Sequence, residues 1–319
     1  MSLRLAAAKL LSRYLLKPRL RRLNNPATAR REFEFAADWF FRAPPFAWYR
    51  EVALTDDLDV LWIETRPATR PPPDDQVILY LHGGGFAAGS PWTHRKMLAR
   101  LSWLTGLRIC APNYRKAPEH PFPAAVQDCE ATYKALIEAG YLPKNIIIGG
   151  DSAGGGLTFS VLACINGQLP PPRAVFAFSP IVDLRFRSPS FEENRHKDSL
   201  LPFERRDLVV DNYLRSASAD DVAASPILHD FNAPPPAFFQ FSSTEILRDE
   251  SLRMADRLRA AGGMVELDEW PDAPHVWVIL DGWVPEARTA LTRAADFITR
   301  QFRDATPTES SAPRQHVCA

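Results

Sequence analysis

The stretch Ile146-Ile147-Ile148-Gly149-Gly150-Asp151-Ser152-Ala153-Gly154-Gly155 is an apolar run that stops at a Gly-x-Ser-x-Gly and passes into helix-compatible sequence from Gly156 to Ile165. Few folds accommodate that succession, because it asks for a buried strand, a sharp turn and a helix with almost no loop between them. In such a turn Ser152 takes a strained backbone conformation. The strain is tolerable because Gly150 and Gly154 have no Cβ to collide with the neighbouring strand and helix. The hydroxyl is thereby pushed into solvent. The following helix points its free N–H groups at the same spot, so negative charge developing there meets a backbone dipole.

Alone, the pentapeptide is weak, since a chain of this length and composition contains one by accident roughly once in twenty-five times. A second stretch strengthens it. Val77-Ile78-Leu79-Tyr80-Leu81 runs into His82-Gly83-Gly84-Gly85, another strand ending in a glycine loop. Both strands stop on loops that expose backbone N–H groups. An acyl-transfer site needs that arrangement, because the oxyanion of the tetrahedral intermediate must be held by donors already in place.

The chain has 319 residues, 46% of them hydrophobic and 24% charged, enough for one sizeable α/β domain with decorations. Its formal net charge is zero, so no global field points to nucleic acid as a partner. Cys110, Cys129, Cys164 and Cys318 show neither CxxC nor His-interleaved spacing, which argues against a zinc site or a disulfide framework and fits a reduced compartment. No run of about twenty apolar residues exists, and the N-terminus lacks the apolar core and cleavage site of a secretory signal. The expected setting is cytoplasmic, with association with a membrane surface as a variant.

That variant arises from the N-terminus, where Met1 to Arg31 holds nine Lys or Arg and no Asp or Glu. On a helical wheel Leu3, Ala7, Leu10, Leu11 and Tyr14 share a side opposite Lys9, Arg13 and Lys17, while Arg4 intrudes on the apolar side and Leu5 and Leu16 fall outside it. Three readings compete: part of a cap over an active site, a helix on an anionic membrane surface through residues 1–31, and a targeting peptide. The aromatic stretch that follows, Trp39, Phe40, Phe41, Phe46 and Trp48, reads as core or cap packing rather than as a substrate box. Residues 1–48 are accordingly expected to form an N-terminal cap segment.

From Arg50 the pattern is that of a catalytic domain. Arg50 to Leu54 and Leu58 to Thr65 read as a hairpin turning at Asp56-Asp57, and the proline-rich Arg66 to Pro73 as a surface connection. Strands at Val77 to Leu81, Leu107 to Ala111, Asn145 to Ile148 and Ala174 to Phe178 then alternate with helices at Thr93 to Thr105 and Ala124 to Ala139, the rhythm of a parallel sheet with crossover helices. The rhythm breaks over 183–225, a polar, helix-like insertion suited to lidding a site. It resumes with the strand Ala237 to Phe241, the helix Asp249 to Ala261, the strand Val265 to Trp270 and the helix Val284 to Arg303. Residues 49–182 and 226–303 thus make up the catalytic domain, and 304–319, rich in Thr, Ser and Pro, is expected to be disordered.

A serine hydroxyl needs a neighbouring base, and the base needs an orienting acid. In α/β-hydrolases the three follow the chain order nucleophile, acid, histidine. Of the seven histidines, His82, His94 and His120 precede Ser152, His196 and His229 precede the last two strands, and His316 lies in the tail. His275 remains, on the loop after the final strand. The acid belongs on the loop after the preceding strand, where Glu245 is the first carboxylate and the preferred choice. Asp249 is the second candidate, although an N-cap role would also explain it.

Together, His82-Gly83-Gly84-Gly85-Phe86, Tyr114-Arg115-Lys116-Ala117-Pro118-Glu119, Gly150-Asp151-Ser152-Ala153-Gly154-Gly155, Glu245-Ile246-Leu247-Arg248-Asp249 and Pro274-His275-Val276 resemble the bacterial hormone-sensitive-lipase-like (family IV) esterases of the α/β-hydrolase superfamily. The resemblance covers about Val52 to Phe302. It implies an eight-stranded, mostly parallel sheet flanked by helices, with a helical cap from the N-terminal segment and the insertion. It also implies hydrolysis of short to medium acyl esters without metal or organic cofactor. Ser152 would be the nucleophile and His275 the base. The N–H groups of Gly84, Gly85 and Ala153 would form the oxyanion hole, with Gly83 setting the turn. His82 and Asp151 would be structural, and Arg115 and Glu119 would brace the glycine loop through buried polar bonds. Members often pair through an edge strand, so a homodimer is among the expectations.

Two positions depart from the family pattern. The usual acid is an aspartate in an Asp-Pro-Leu-type run, where this chain has Glu245. Lys116 replaces a common leucine and reads as a surface-facing change. Two other functions compete: a membrane-associated lipase acting on longer acyl chains, and a non-catalytic small-molecule receptor on the same fold. The receptor reading fits poorly, because such a protein typically loses the histidine.

Overall fold

The computed structural model describes residues 1–56, 58–65, 73 and 75–303. The expected turn residue Asp57, most of the proline-rich connection and the 304–319 tail lie outside these. In chain order come helices α1 (Leu3–Leu11), α2 (Lys17–Arg22) and α3 (Pro26–Phe40), with a π-helical turn over Ser12–Leu16 joining the first two. The antiparallel hairpin β1 (Ala47–Thr55) and β2 (Leu58–Thr65) leads into β3 (Val77–Leu81), α4 (Pro91–Thr105), β4 (Arg108–Pro112), α5 (Ala124–Glu138), β5 (Ile146–Asp151), α6 (Ser152–Ile165) and β6 (Ala174–Phe178). The insertion carries α7 (Ser190–Glu193) and α8 (Arg206–Leu214). Then β7 (Ala237–Ser242), α9 (Arg248–Ala260), β8 (Val265–Trp270) and α10 (Pro285–Arg303) complete the domain.

The strands form one eight-stranded sheet in the order β1-β2-β4-β3-β5-β6-β7-β8. Pairing is antiparallel on both sides of β2 and parallel from β4 to β8. The chain runs outward from β3 to β4 and then returns to place β5 on the other flank of β3. The carboxyl ends of β3 and β5 therefore border the point where strand order reverses, the place where open α/β sheets build their sites.

Alternate side chains of each strand go to opposite faces. Leu79, Ile148, Val175 and Phe239 join one core, with Leu136, Leu157 and Leu258 from α5, α6 and α9. Ile78, Tyr80, Ile147 and Phe176 join the other, with Leu98 and Leu291 from α4 and α10. Ile146, Ile147 and Ile148 are each fully buried, and each such side chain contributes about 1.5–3 kcal/mol of burial free energy. Burial on both faces explains why β5 reads as a continuous apolar run rather than an alternating one. Helix α6 is buried almost all round, which fixes the residue at its start.

Helix α4 starts two residues before the expected Thr93. Ser90 and Thr93 satisfy each other's backbone donors in a capping box, and Pro91 occupies the first turn, where it needs no hydrogen bond.

The N-terminal segment docks on the body with its basic side inward. Lys9 pairs with Asp272, Arg13 donates to the carbonyls of His196 and Lys197, and Lys17 donates to those of Arg195 and Asp198. Leu5, outside the apolar side of the wheel, is the buried residue of α1, whereas Leu3, Leu10, Leu11 and Tyr14 face solvent. The packing expected of the aromatic stretch is likewise overturned. Trp39, Phe40, Phe46 and Trp48 are all more than half exposed. Periodicity did not reveal this, because several of the docking contacts are polar ones that it does not report.

Candidate active site

Ser152 opens α6 immediately after β5, with φ of +52°, the left-handed region that non-glycine residues seldom occupy. A Cβ at Gly154 would meet the carbonyl oxygens of Leu81 and His82, and one at Gly150 would meet those of Gly154 and Leu81. The elbow is therefore pressed against the end of β3, and both glycines are required by close approach. Leu81 pairs with Gly150 in the sheet register, so the His82–Gly85 loop and the Ser152 turn leave the sheet side by side.

Asp151 ties these two loops together. Its fully buried carboxylate accepts from Gly83 N at 2.9 Å and from the Tyr80 hydroxyl at 2.9 Å, and His94 Nε2 lies 3.3 Å away. Burial alone would raise its pKa, but His94, Tyr80 and the Gly83 N–H together hold it below the usual carboxylate value. Gly84 adopts φ of +128° and its carbonyl accepts from Ala87 and Ala88, which coils the loop tightly. Ala153 stands in the first turn of α6, where backbone donors lack intrahelical acceptors. His82 stacks on Tyr114 with ring centroids 4.1 Å apart and sets its Nδ1 against the Gly83 carbonyl. Burial, with Lys116 and His94 nearby, keeps it well below the ordinary histidine pKa.

His275 follows β8 and Glu245 follows β7, adjacent parallel strands whose loops leave on the same side as those of β3 and β5. His275 Nδ1 lies 2.6 Å from Glu245 Oε2. The other carboxylate oxygen accepts from Ser242 N and the Ser179 hydroxyl, each at 2.8 Å. The glutamate is thus held at three points, and its longer arm fits because it folds back onto its own loop. His275 Nε2 is buried and makes no hydrogen bond to the protein. Burial lowers the pKa of His275, but the charge and hydrogen bond of Glu245, with Asp198 and Asp151 beyond, outweigh it and raise the value overall.

Asp249 faces elsewhere. Its carboxylate accepts from Ser190 N at 2.8 Å and from Arg248 Nε at 2.7 Å, strapping α9 to the insertion. It is not an N-cap either, because α9 begins at Arg248 with Leu247 in the cap position. Arg115 pairs with Asp128 of α5. Glu119, whose side chain is 52% exposed, pairs with Arg30. It is therefore not the buried brace expected, and reaches the glycine loop only through Arg30, which also donates to Ala87 O. Lys116 is half-buried rather than surface-facing. Its ammonium donates to Asn113 Oδ1 and Tyr114 O, and burial pushes its pKa down to about 8.

Several contributors were invisible in the sequence. Asn194, from the insertion, donates to the carbonyls of Ser243 and Glu245, and Asp198 accepts the Ile246 N–H at 3.0 Å, so the insertion grips the loop that carries Glu245. Ser179 sits at φ of +48° directly after β6. Its place at a strand's carboxyl end was the one available signal. Among the described residues no group of His, Cys, Asp or Glu is arranged to hold a metal ion.

The constellation is that of a nucleophilic hydrolase, and the comparisons agree. A family described as the alpha/beta hydrolase fold matches residues 78–279. An acetyl-hydrolase of Streptomyces hygroscopicus is 35% identical over 238 residues, 74% of this chain and 78% of that one. An esterase of Acinetobacter venetianus is 33% identical over 70% of this chain and 75% of its own. A solved esterase of the bacterial hormone-sensitive lipase family superposes with a TM-score of 0.87 at 32% identity, covering 94% of this chain and 99% of that one. EstE5, whose crystal was soaked in p-nitrophenyl butyrate, gives 0.87 at 30% identity over 95% of this chain and all of its own. The chain belongs to the α/β-hydrolase fold, in its bacterial hormone-sensitive lipase family.

The raised value of His275 sets the pH response expected of this site. With His275 as the base the sequence expects, only neutral imidazole accepts the serine proton, so kcat/KM on a non-ionising ester should fall on the acid side with an apparent pKa above the ordinary histidine value of about 6.5. A pH-rate profile whose acid limb lies below that value would remove His275 as the base.

Proposed function

We propose that this enzyme is a serine carboxylesterase that cleaves short to medium acyl esters through an acyl-enzyme on Ser152. The observation that carries the reading is the His275 ring, bonded on Nδ1 to Glu245 and left unbonded on a buried Nε2. Glu245 keeps the proton on Nδ1, which leaves Nε2 as the ring's acceptor for the Ser152 proton. Ser152 Oγ attacks the ester carbonyl, its proton passes to Nε2, and the imidazolium then returns that proton to the departing alcohol. Water enters by the same route in reverse and releases the acid. The N–H groups of Gly84, Gly85 and Ala153 take the oxyanion, and Asp151 keeps the Gly83 turn in register with the nucleophile. Relatives named esterase and acetyl-hydrolase support the same chemistry.

A fluorophosphonate reagent followed by peptide mass mapping tests the assignment. The label is expected on the peptide containing Ser152, and modification elsewhere with activity lost in step would refute it.

A second reading is a lipase working at a membrane surface on longer chains. The exposed row Leu10, Leu11, Tyr14 and Leu15 favours it, although no described helix is long and apolar enough to cross a membrane. Rates on p-nitrophenyl esters from acetyl to palmitoyl, with and without anionic vesicles, separate the two. The short-chain reading expects the maximum on dissolved esters up to about the hexanoyl chain, with vesicles adding nothing. A maximum on palmitoyl ester that appears only with vesicles would replace it.

A further inference from the structure

Between the N-terminal helices and the insertion lies an open cleft of about 180 Å³ lined by Arg13, Lys17, Arg21, Arg195 and His196. Its charge is unbalanced. Arg13 donates to the carbonyls of His196 at 2.9 Å and Lys197 at 2.6 Å, and Lys17 to those of Asp198 at 2.7 Å and Arg195 at 3.3 Å. Carbonyls offer dipoles, so neither cation is neutralised. Glu204 is the carboxylate paired with the other two, at 3.4 Å from Arg21 and 3.6 Å from Arg195, and all three side chains are solvated enough to make the pairing weak. Asp198 also lines the cleft, but its carboxylate turns away to the N–H groups of Leu200, Leu201 and Ile246.

Two further observations mark where a ligand would bind. Arg195 Nε is buried and makes no hydrogen bond, while its guanidinium lies 4.7 Å over the Phe203 ring. Lys17 is buried, and that burial holds its ammonium below the usual lysine value. The Asp198 charge opposes this, and the Arg21 and Arg13 charges reinforce it. A negative group among these cations would remove their mutual repulsion.

We propose that this cleft binds a phosphate group, either free or as the headgroup of a lipid. The donors converge from the π-helical turn, α2 and the insertion, and a tetrahedral anion offers acceptors in that many directions where a planar carboxylate does not. The volume holds the anion with part of its hydration shell, since a water takes about 30 Å³. Asp198 lines the cleft and also holds the Ile246 N–H beside Glu245, so binding is read on the Ser152→Ala protein without substrate to keep it apart from the ester chemistry.

Inorganic phosphate is titrated calorimetrically at constant ionic strength set with chloride, and in parallel the protein is sedimented with vesicles of phosphatidylcholine alone or mixed with phosphatidic acid. Saturable binding is expected, weakened about tenfold by Arg195→Gln, the loss of one charge-assisted hydrogen bond. Arg21→Gln, a second lining cation, should do the same, and Arg22→Gln, exposed on α2 and outside the lining, should do nothing. Phosphate binding without vesicle binding assigns a free phosphate. Pelleting with phosphatidic acid that phosphate competes away assigns a headgroup. If neither probe binds, or if all three variants bind like the parent, the proposal is overturned.

Discussion

Ser152→Ala is expected to lower turnover of a p-nitrophenyl ester by roughly four to six orders of magnitude, leaving the residual rate that an oxyanion hole alone supports. The fold should survive, because alanine at φ of +52° is no more strained than serine and the Ser152 hydroxyl bonds to no neighbour among the described residues. Steady-state kinetics beside a thermal melt checks both halves. Activity within about tenfold of the parent, with the melt unchanged, would leave the nucleophile unassigned.

The second large effect concerns the acid. Glu245→Gln keeps the shape of the side chain but places an amide opposite Nδ1, which stabilises the wrong tautomer and removes the charge that supports the imidazolium. A loss of roughly 10³–10⁴ in kcat is expected. The acid limb of the pH profile should also move down, because the group that raises the His275 pKa has gone. Asp249→Asn should stay within about tenfold in kcat and show its effect in stability, since it cuts a strap to the insertion. The opposite ranking in the same assay would transfer the role to Asp249.

Much of this site was legible in the order of residues, because its parts are tied to strand ends. A buried strand leaves an apolar run, a glycine-lined elbow leaves Gly150 and Gly154, and the chain order then singles out His275. The choice between Glu245 and Asp249 was open in the sequence, since both follow β7 within a few residues; it is the fold of the 242–246 turn that brings one of them to the imidazole. Asn194, Asp198, Ser179 and His94 act through contacts between elements far apart in the chain, which no local pattern encodes. The N-terminal segment misled for a related reason. A hydrophobic wheel reports which side is apolar but not which side docks, and here Arg13 and Lys17 dock against backbone carbonyls and Lys9 against Asp272.

The grip of Asn194 and Asp198 on the 243–246 backbone bears on how relatives of this protein can be recombined. A chimera that exchanges the insertion for that of a homologue, with the aim of altering substrate range, would also exchange the scaffolding of the proposed acid, Glu245. Grafts bounded so that 194–198 travel together with the turn after β7 should keep their chemistry. Those cut between the two should lose rate on every ester alike, a defect easily mistaken for poor substrate fit.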